Sequence, residues 1–551
     1  MTENIKCSEI QTDYLTAKKI IDYAGAENCE LLLSDIPHQA AFYKSTCRIR
    51  AGGYILLDFG MEICGGATVT VQETDGSGAR LRVVFGESVS EALSDIGLKN
   101  STNDHGMRDM TVSASLLSRY ELGHTGFRFL RIAAVGGDIV ISCVKAVSTI
   151  RNAEIKGSFE CSDEMLTRIW STAVRTVHLN MQEYIWDGIK RDRLVWVGDM
   201  HPEISAICCA FGYDGVVEKT LDFVMNTTSP EEWMNGLPSY TLWWLIIQHD
   251  WYMQNEGYEY LNKNKEYITA TVKNVLANIG EDGSLGFEEL FIDWETKECA
   301  ELHSGFTAIL VMALHASEVI CGILGEERLS RQCALKAALL TEVSGGECEN
   351  QQISALMALS GITCAEGFNR RIREKNQLND LTAFLGYYTL LAKGEAGDVA
   401  GAVEIVKSYW GRMIELGATS FWESFDYGEA VDAAGIDRVV LPTEKDIHGD
   451  CGKYCYRQFR KSLCHGWASG PAPFLSRYVL GIRAAAPGFK RIKFEPCLAG
   501  LSWAKGSYPT PYGSIDVELE ECGGRLIKRL TVPREIVIEG ANGGEEWIIT
   551  K

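Results

Sequence analysis

The hydrophobic pattern changes period twice along the chain, and these two changes constrain the fold more than any other feature. Over roughly residues 40–150, segments such as ATVTVQE, ARLRVVFGES, FRFLRIAAV and DIVISCVKAV alternate or run apolar between Gly, Asp and Ser turns. That is strand patterning. At about Ser158 the period lengthens. Ser162 stands as an N-cap, Asp163 and Glu164 fill the first turn, and Leu166, Ile169, Trp170, Ala173, Val174 and Val177 follow at three-and-four spacing as one buried helical face. Val399, Ala402, Val403, Val406, Trp410 and Met413 repeat the stripe, closed by Gly417 in a C-cap position. Beyond Pro487, RIKFEP, SIDVELEE, LIKRLTVP and EIVIEG return to strands. The pattern predicts an N-terminal β-sandwich over 1–155, an all-helical domain over 156–484 and a small β-domain over 485–551. A chain of 551 residues is too long for one core, in keeping with this division. Periodicity leaves open whether the helices stack as a solenoid or close into a toroid.

Charge narrows the partners. The formal net charge is -21, so phosphate backbones are repelled and nucleic acid is excluded, whereas a neutral substrate such as a sugar is suited. The opening MTENIKCSEIQTDYL has no apolar core of signal length. No stretch approaches a membrane span either, WWLIIQ at Trp243–Gln248 being a short run. The chain is therefore expected to be cytoplasmic and away from membranes, while a homo-oligomer stays open. Eighteen cysteines without regular spacing read as reduced, mostly buried thiols. Cys451, Cys455, Cys464 and His465 can be written as a zinc site. However, Cys464 and His465 are adjacent, and neighbouring side chains rarely reach one tetrahedral ion together. No metal or cofactor is expected, and calcium has no ligand pattern.

The chemistry concentrates in DGIKRDRLVWVGD (187–199). Asp187, Asp192 and Asp199 fall within thirteen residues, interleaved with Lys190, Arg191 and Arg193. A solvated charged loop is the ordinary reading of such a run. Ile185, Trp186, Leu194, Val195, Trp196 and Val197 are too apolar for that, and they point to a partly buried network with shifted pKa values. His201, Pro202 and Glu203 extend the loop, with helix resuming at about Ile204. Four further blocks set aromatics beside an acid, a histidine or a Pro-Ser-Tyr helix entry. They are NGLPSYTLWW with Trp244, FIDWET with Asp293 and Trp294, ATSFWESF with Glu423, and SLCHGWASGPAPFLSRYVLG with His465 and Trp467. Each alone reads as core packing. Together they fit a sugar site, because glycoside hydrolysis needs paired carboxyls and sugar faces pack on aromatic rings.

DGIKRDRLVWVGD resembles the D-x-P-x-R-E-R-x-x-W-x-G-D signature of glycoside hydrolase family 78, the α-L-rhamnosidases. The other blocks follow in that family's chain order, and LSWAKGSYPTPYGSIDVE is similar to its C-terminal β-domain. The resemblance implies an (α/α)6 barrel flanked by β-sandwich domains and an inverting, exo-acting rhamnosidase. It puts Asp192 at the general acid and Glu423 at the general base. It also makes Asp187, Arg191, Trp196, Asp199, Trp244, Asp293, Trp294, His465 and Trp467 substrate-binding. Two positions depart from the signature: Ile189 replaces proline, and Asp192 replaces a glutamate one methylene longer. Glu203 is the reserve candidate for the acid. A related barrel acting on another sugar, or a glycan-binding protein whose catalysis has decayed, are the competing readings.

Overall fold

A nearly unbroken apolar and alternating run from Cys47 to Thr74 forms one strand of 28 residues, β3, several times the usual length. Such a strand has enough edge to bind three partners. The computed structural model describes residues 9–76, 78–346, 348–372, 378–539 and 547–550. The first eight residues, part of the stretch read above for a signal, lie outside them.

The chain divides into two compact units, described separately. The first comprises Met1–Asn152, His178–Leu194 and Met413–His465. Its frame is a seven-stranded antiparallel sheet of β1 (Ile10–Leu15), β2 (Lys19–Glu27), β3, β4 (Arg80–Gly86), β5 (Asp109–Ser113), β6 (Ser118–Val135) and β7 (Ile139–Arg151). The order is β1-β7-β3-β6-β4-β5, with β2 also on β3. Both arms of β3 pair with β7, Cys47–Ile49 at one end and Gly65–Thr74 at the other. The strand thus doubles over the core between its arms, and the strands read as a sandwich belong to one hydrogen-bonded sheet. Gly65 is where this requires glycine: its φ is +148°, and a Cβ would lie 1.9 Å from the Val147 carbonyl oxygen. Ile49, Ile55, Leu57, Val69, Leu81, Val83, Phe127 and Ile141 fill the interior. Near one edge, Arg128 donates to both oxygens of buried Asp58, at 2.8 and 2.9 Å, and to the Gly417 carbonyl at 2.9 Å. A short helix, α1 (Val89–Leu93), follows β4 and is capped by Ser88, which accepts from the Glu91 N–H.

The second unit comprises Ala153–Val177, Val195–Arg412 and Gly466–Lys551. The apolar stripe read from the sequence is the buried face of α2 (Glu164–Asn180). Its cap is Asp163 rather than Ser162, because the Asp163 carboxylate accepts from the N–H groups of Met165 and Leu166. Helix α3 (Met200–Ala210) begins four residues earlier than expected, so His201, Pro202 and Glu203 are helical. Proline fits a first turn, where its missing N–H has no partner to lose. Helices α4 (Gly215–Thr227), α5 (Pro238–Asn255), α6 (Tyr258–Lys263), α7 (Lys265–Ala277) and α8 (Leu302–Ile323) continue the helical run. By length and composition α8 is apolar enough to cross a membrane, with a mean hydropathy of 1.9, contrary to the expectation above. Two thirds of that stretch is buried against other residues, which is the signature of a core helix.

The C-terminal strands do not form a sheet alone. Ser158–Cys161, from just before α2, pairs with Trp503–Thr510 and completes a five-stranded sheet. Gly157 permits the entry to this strand, because a Cβ there would meet the Cys209 carbonyl oxygen at 1.9 Å.

Candidate active site

In the first unit, Asp187–Leu194 is folded around its own first carboxylate. Asp187 accepts from the N–H groups of Asp192 at 2.8 Å and Leu194 at 2.9 Å, while its own N–H donates to the Leu194 carbonyl. The turn places alternate side chains in different surroundings. Ile189 packs into an apolar cluster with Cys64, Leu179 and Cys464, so the signature's proline position is here a core residue. Gly188 forms a bridge to His465 and has no room for a Cβ, which would meet the Arg191 carbonyl oxygen at 2.4 Å.

Lys190 enters the protein interior. Its ammonium lies 2.9 Å from Glu87 and 3.1 Å from Glu91, and it donates to the carbonyls of Phe459 and Lys461. Glu87 also accepts from the Ser462 hydroxyl at 3.1 Å and the Leu463 N–H at 2.6 Å. Burial pushes the Glu87 carboxyl up to about 7, against the pull of Lys190. Glu87, Glu91 and His448 are close enough to one another to serve as metal ligands, but Lys190 already supplies their counter-charge. His448, bonded to Ser88 and to the Lys461 carbonyl, is held neutral by burial and neighbouring cations.

This buried network ends on Glu423. The Glu423 N–H donates to the Ser462 carbonyl at 3.0 Å, and the Ser462 N–H donates back to the Glu423 carboxyl at 2.8 Å. His465 Nε2 sits 3.9 Å from Glu423 and 3.8 Å from Asp187. Burial raises Glu423 to about 7, with Arg191 opposing and Asp187 and Asp192 adding to the rise. Burial likewise raises Asp187 to about 7. Burial, assisted by Arg191, lowers His465 to about 3, so its imidazole is neutral near pH 7. Two buried carboxyls that titrate near neutrality around a neutral imidazole are an arrangement for moving protons. Asp192 is less buried, and the Arg191 guanidinium donates to its Oδ1 at 2.5 Å. Arg193 lies over the Trp186 ring and bonds to His124.

The zinc reading of the cysteines separates here. Cys464 turns into the apolar cluster, and its neighbour His465 faces the carboxyls.

The second unit gathers a different set. Asp199 precedes α3, is buried, and accepts from the Tyr240 hydroxyl at 3.3 Å. A row of rings runs from Trp196 through Tyr240 and Phe291 to Trp294, with centroids 6.0, 6.3 and 5.5 Å apart. Asn235 clamps the approach to Trp196 by bonding both the Val195 carbonyl and the Val197 N–H. Asp293 caps the turn that carries the exposed Trp294, beneath the Lys297 ammonium. Trp244 and Trp467 lie in the packed interior, Trp244 edge-on to Tyr267 and Trp467 stacked on Phe384. Glu203 is fully buried against Gly466, where a Cβ would collide with its carboxyl at 1.7 Å.

The residues that sequence reasoning missed are Glu87, Glu91, Ser462 and Tyr240. Tyr240 lay inside a quoted block, LPSYTLWW. Glu87 and Glu91 sit in a strand-rich segment about a hundred residues upstream, with no aromatic neighbour to signal a site.

Two comparisons identify domains in the chain. Residues 154–319 match the bacterial α-L-rhamnosidase six-hairpin glycosidase domain, and residues 481–539 match the bacterial α-L-rhamnosidase C-terminal domain. The chain thus carries a six-hairpin glycosidase domain. Both models describe domains of bacterial α-L-rhamnosidases. An α-L-rhamnosidase of Formosa agariphila is 26% identical over 157 residues, which is 27% of this chain and 16% of that protein. The fold is similar to a glycoside hydrolase family 78 rhamnosidase of Bacillus sp. GL1, with TM-score 0.74 and 19% identity. That match covers 94% of this chain, which spans about half (55%) of the Bacillus chain. A Klebsiella oxytoca rhamnosidase solved with rhamnose bound is matched at TM-score 0.68 and 18% identity, over 85% of this chain and 95% of that one.

Two stability predictions follow from the buried charges. Replacing Lys190 by Met leaves Glu87 and Glu91 without their counter-charge and is expected to cost about 3–5 kcal/mol. Its thermal midpoint should fall well below wild type at about pH 7, and Glu87→Gln in the same chain should restore part of the loss. Equal midpoints would contradict the network. For Glu423, the folded protein favours the protonated form up to about 7, against an ordinary value of 4.5. Its ionisation therefore costs stability above pH 7 and nothing below about pH 4.5. Glu423→Gln should be the more stable protein by about 1–3 kcal/mol at pH 8, with the gap closing at pH 4.5.

Proposed function

We propose that the chain is a glycoside hydrolase that releases terminal α-L-rhamnose with inversion, from a site on an (α/α)6 barrel. The observation that carries this reading is the Glu423 carboxyl. It is buried, accepts the Ser462 N–H, is raised to about 7 and lies beside a neutral histidine. Such a group takes a proton from water near neutral pH, which is the task of the base in inverting hydrolysis. The acid side of the site is built on Asp192. Asp187 is suited to accept from sugar hydroxyls, and within the second unit Trp196 and Trp294 have ring faces of the kind that sugars pack on. The domain matches supply the choice of rhamnose, as does the relative solved with rhamnose bound.

Hydrolysis of aryl α-L-rhamnosides by wild type, Asp192→Asn and Glu423→Gln tests the proposal. Wild type should turn over, and Glu423→Gln should lose about 10²–10⁴ in kcat/KM. The base must be ionised to act, and burial has raised it, so the acidic limb of the kcat/KM profile should fall near pH 7 rather than in the ordinary carboxylate range. Unchanged rates in both variants would sink the residue assignment. Rhamnose binding without turnover by wild type would favour the glycan-binding reading.

A further inference from the structure

Helix α5 carries polar side chains at its far end that the hydrolytic reading does not use. Tyr240, which bonds Asp199, stands in the first turn, whereas Asp250 and Gln254 stand in the last two. Gln254 is about 20 Å from Tyr240 along the helix axis. A cavity of about 270 Å³ opens at this end, lined wholly by residues of the second unit. Helix α3 contributes Ser205 and Cys208, the helix Leu385–Glu395 contributes Tyr387, and the strand Trp503–Thr510 contributes Tyr508.

The charged side chains of the lining are matched in place. His201 Nε2 lies 3.0 Å from one Asp250 oxygen, and His249 Nδ1 lies 2.8 Å from the other. Burial would raise the Asp250 carboxyl, but the two histidines overcome it and hold it well below the usual carboxylate range. Arg477 and Arg483 share Glu395, at 3.3 and 3.4 Å, and Arg483 also pairs with Glu495. Each charge thus has its partner, and the cavity offers no excess charge to draw an ion. The groups remain within reach of a ligand, because Asp250 and Arg477 keep 48% and 45% of their side-chain surface accessible. A carboxylate bonded to two histidines still has lone pairs, and a paired guanidinium still has N–H donors.

The unmet demand is neutral. Gln254 is nine-tenths buried, and its Oε1 accepts from the Tyr508 hydroxyl at 3.0 Å. Its Nε2 finds no acceptor among the described residues. Folded proteins seldom leave such a donor without a partner, so the amide calls for an acceptor inside the cavity. Ring surface lies beside it, with Phe489 and Tyr508 at a centroid distance of 5.1 Å. Donors next to acceptors, balanced charge and aromatic faces suit a hydroxylated ring. Each hydroxyl both donates and accepts, and the C–H face packs on aromatic carbon. The volume lies at the small end of ligand pockets, roughly 300 Å³, which leaves room for one sugar ring and not for a chain.

We propose that this cavity is a second sugar site, which binds a free monosaccharide between Asp250, Gln254 and Arg477. It goes beyond the glycosidase reading and does not depend on it, since none of its residues belongs to the carboxyl network around Glu423.

The test is fluorine NMR of the full chain labelled with 3-fluorotyrosine, with Tyr240, Tyr387 and Tyr508 assigned by single Tyr→Phe replacements. L-Rhamnose, D-glucose and D-galactose are titrated in turn, with acetate and phosphate as anionic controls. At least one sugar should shift the Tyr387 and Tyr508 signals saturably. Gln254→Glu keeps an acceptor for Tyr508 and removes the donor, so it should weaken that binding by about tenfold. Met253→Trp fills the cavity while leaving its polar groups intact, and should abolish the shifts. No saturable shift at either tyrosine with any of the three sugars would overturn the proposal. So would shifts that survive Met253→Trp, or saturation by acetate or phosphate alone, which would make the cavity an anion site. A sugar that shifts Tyr240 but neither Tyr387 nor Tyr508 would overturn this inference and leave the glycosidase reading standing. Failure of wild type to hydrolyse rhamnosides would remove that reading and leave these titrations unaffected.

Discussion

The ammonium of Lys190, enclosed by Glu87 and Glu91, is the interaction on which the rest of the candidate site depends. It fastens the Asp187–Leu194 turn to the end of β4 and to α1. Through Glu87 it also fixes Ser462 and Leu463, and Ser462 holds Glu423. One buried cation thus sets the relation between the segment that carries Asp192 and the segment that carries Glu423. Ion clusters of this kind add little net stability, because desolvation offsets most of the attraction. Their effect is positional: a shifted loop would leave a charge unpaired in the interior, so alternative placements are strongly disfavoured.

The same desolvation shapes the chemistry. Asp187, Glu423 and Glu87 are all raised by burial to about 7, and His465 is driven down to about 3. Four groups that would be charged or readily charged in water are brought near neutrality at neutral pH. Lys190 opposes the rise of Glu87 and Arg191 that of Glu423, while backbone N–H groups oppose that of Asp187. The site is costly to fold in its ionised form, and that cost is what prepares Glu423 to accept a proton.

The sequence carried the broad order of strands, helices and strands because periodicity reports which face of each segment is buried. Gly417 ends its helix as its position implies, with φ at +100°. The segment from Asp187 to Asp199 was also legible, because charges set among Trp, Leu and Val cannot be a simple solvated loop. What was hidden is non-local. Ser158–Cys161 joins a sheet more than 340 residues downstream in sequence, and Glu87 reaches Ser462 over a separation of 375 residues. No local pattern records such pairings. Trp244 and Trp467 show the opposite limit: an aromatic beside a conspicuous block reads the same whether its ring faces a ligand or packs on Tyr267 or Phe384.

The central claim is that Glu423 directs water onto the anomeric carbon from the face opposite the leaving group. Proton NMR during the first minutes of hydrolysis of an aryl α-L-rhamnoside tests it most directly. The account predicts β-L-rhamnose as the first-formed sugar, with the α anomer growing in later by mutarotation. α-L-Rhamnose appearing first would mean retention through a covalent intermediate and would contradict the account.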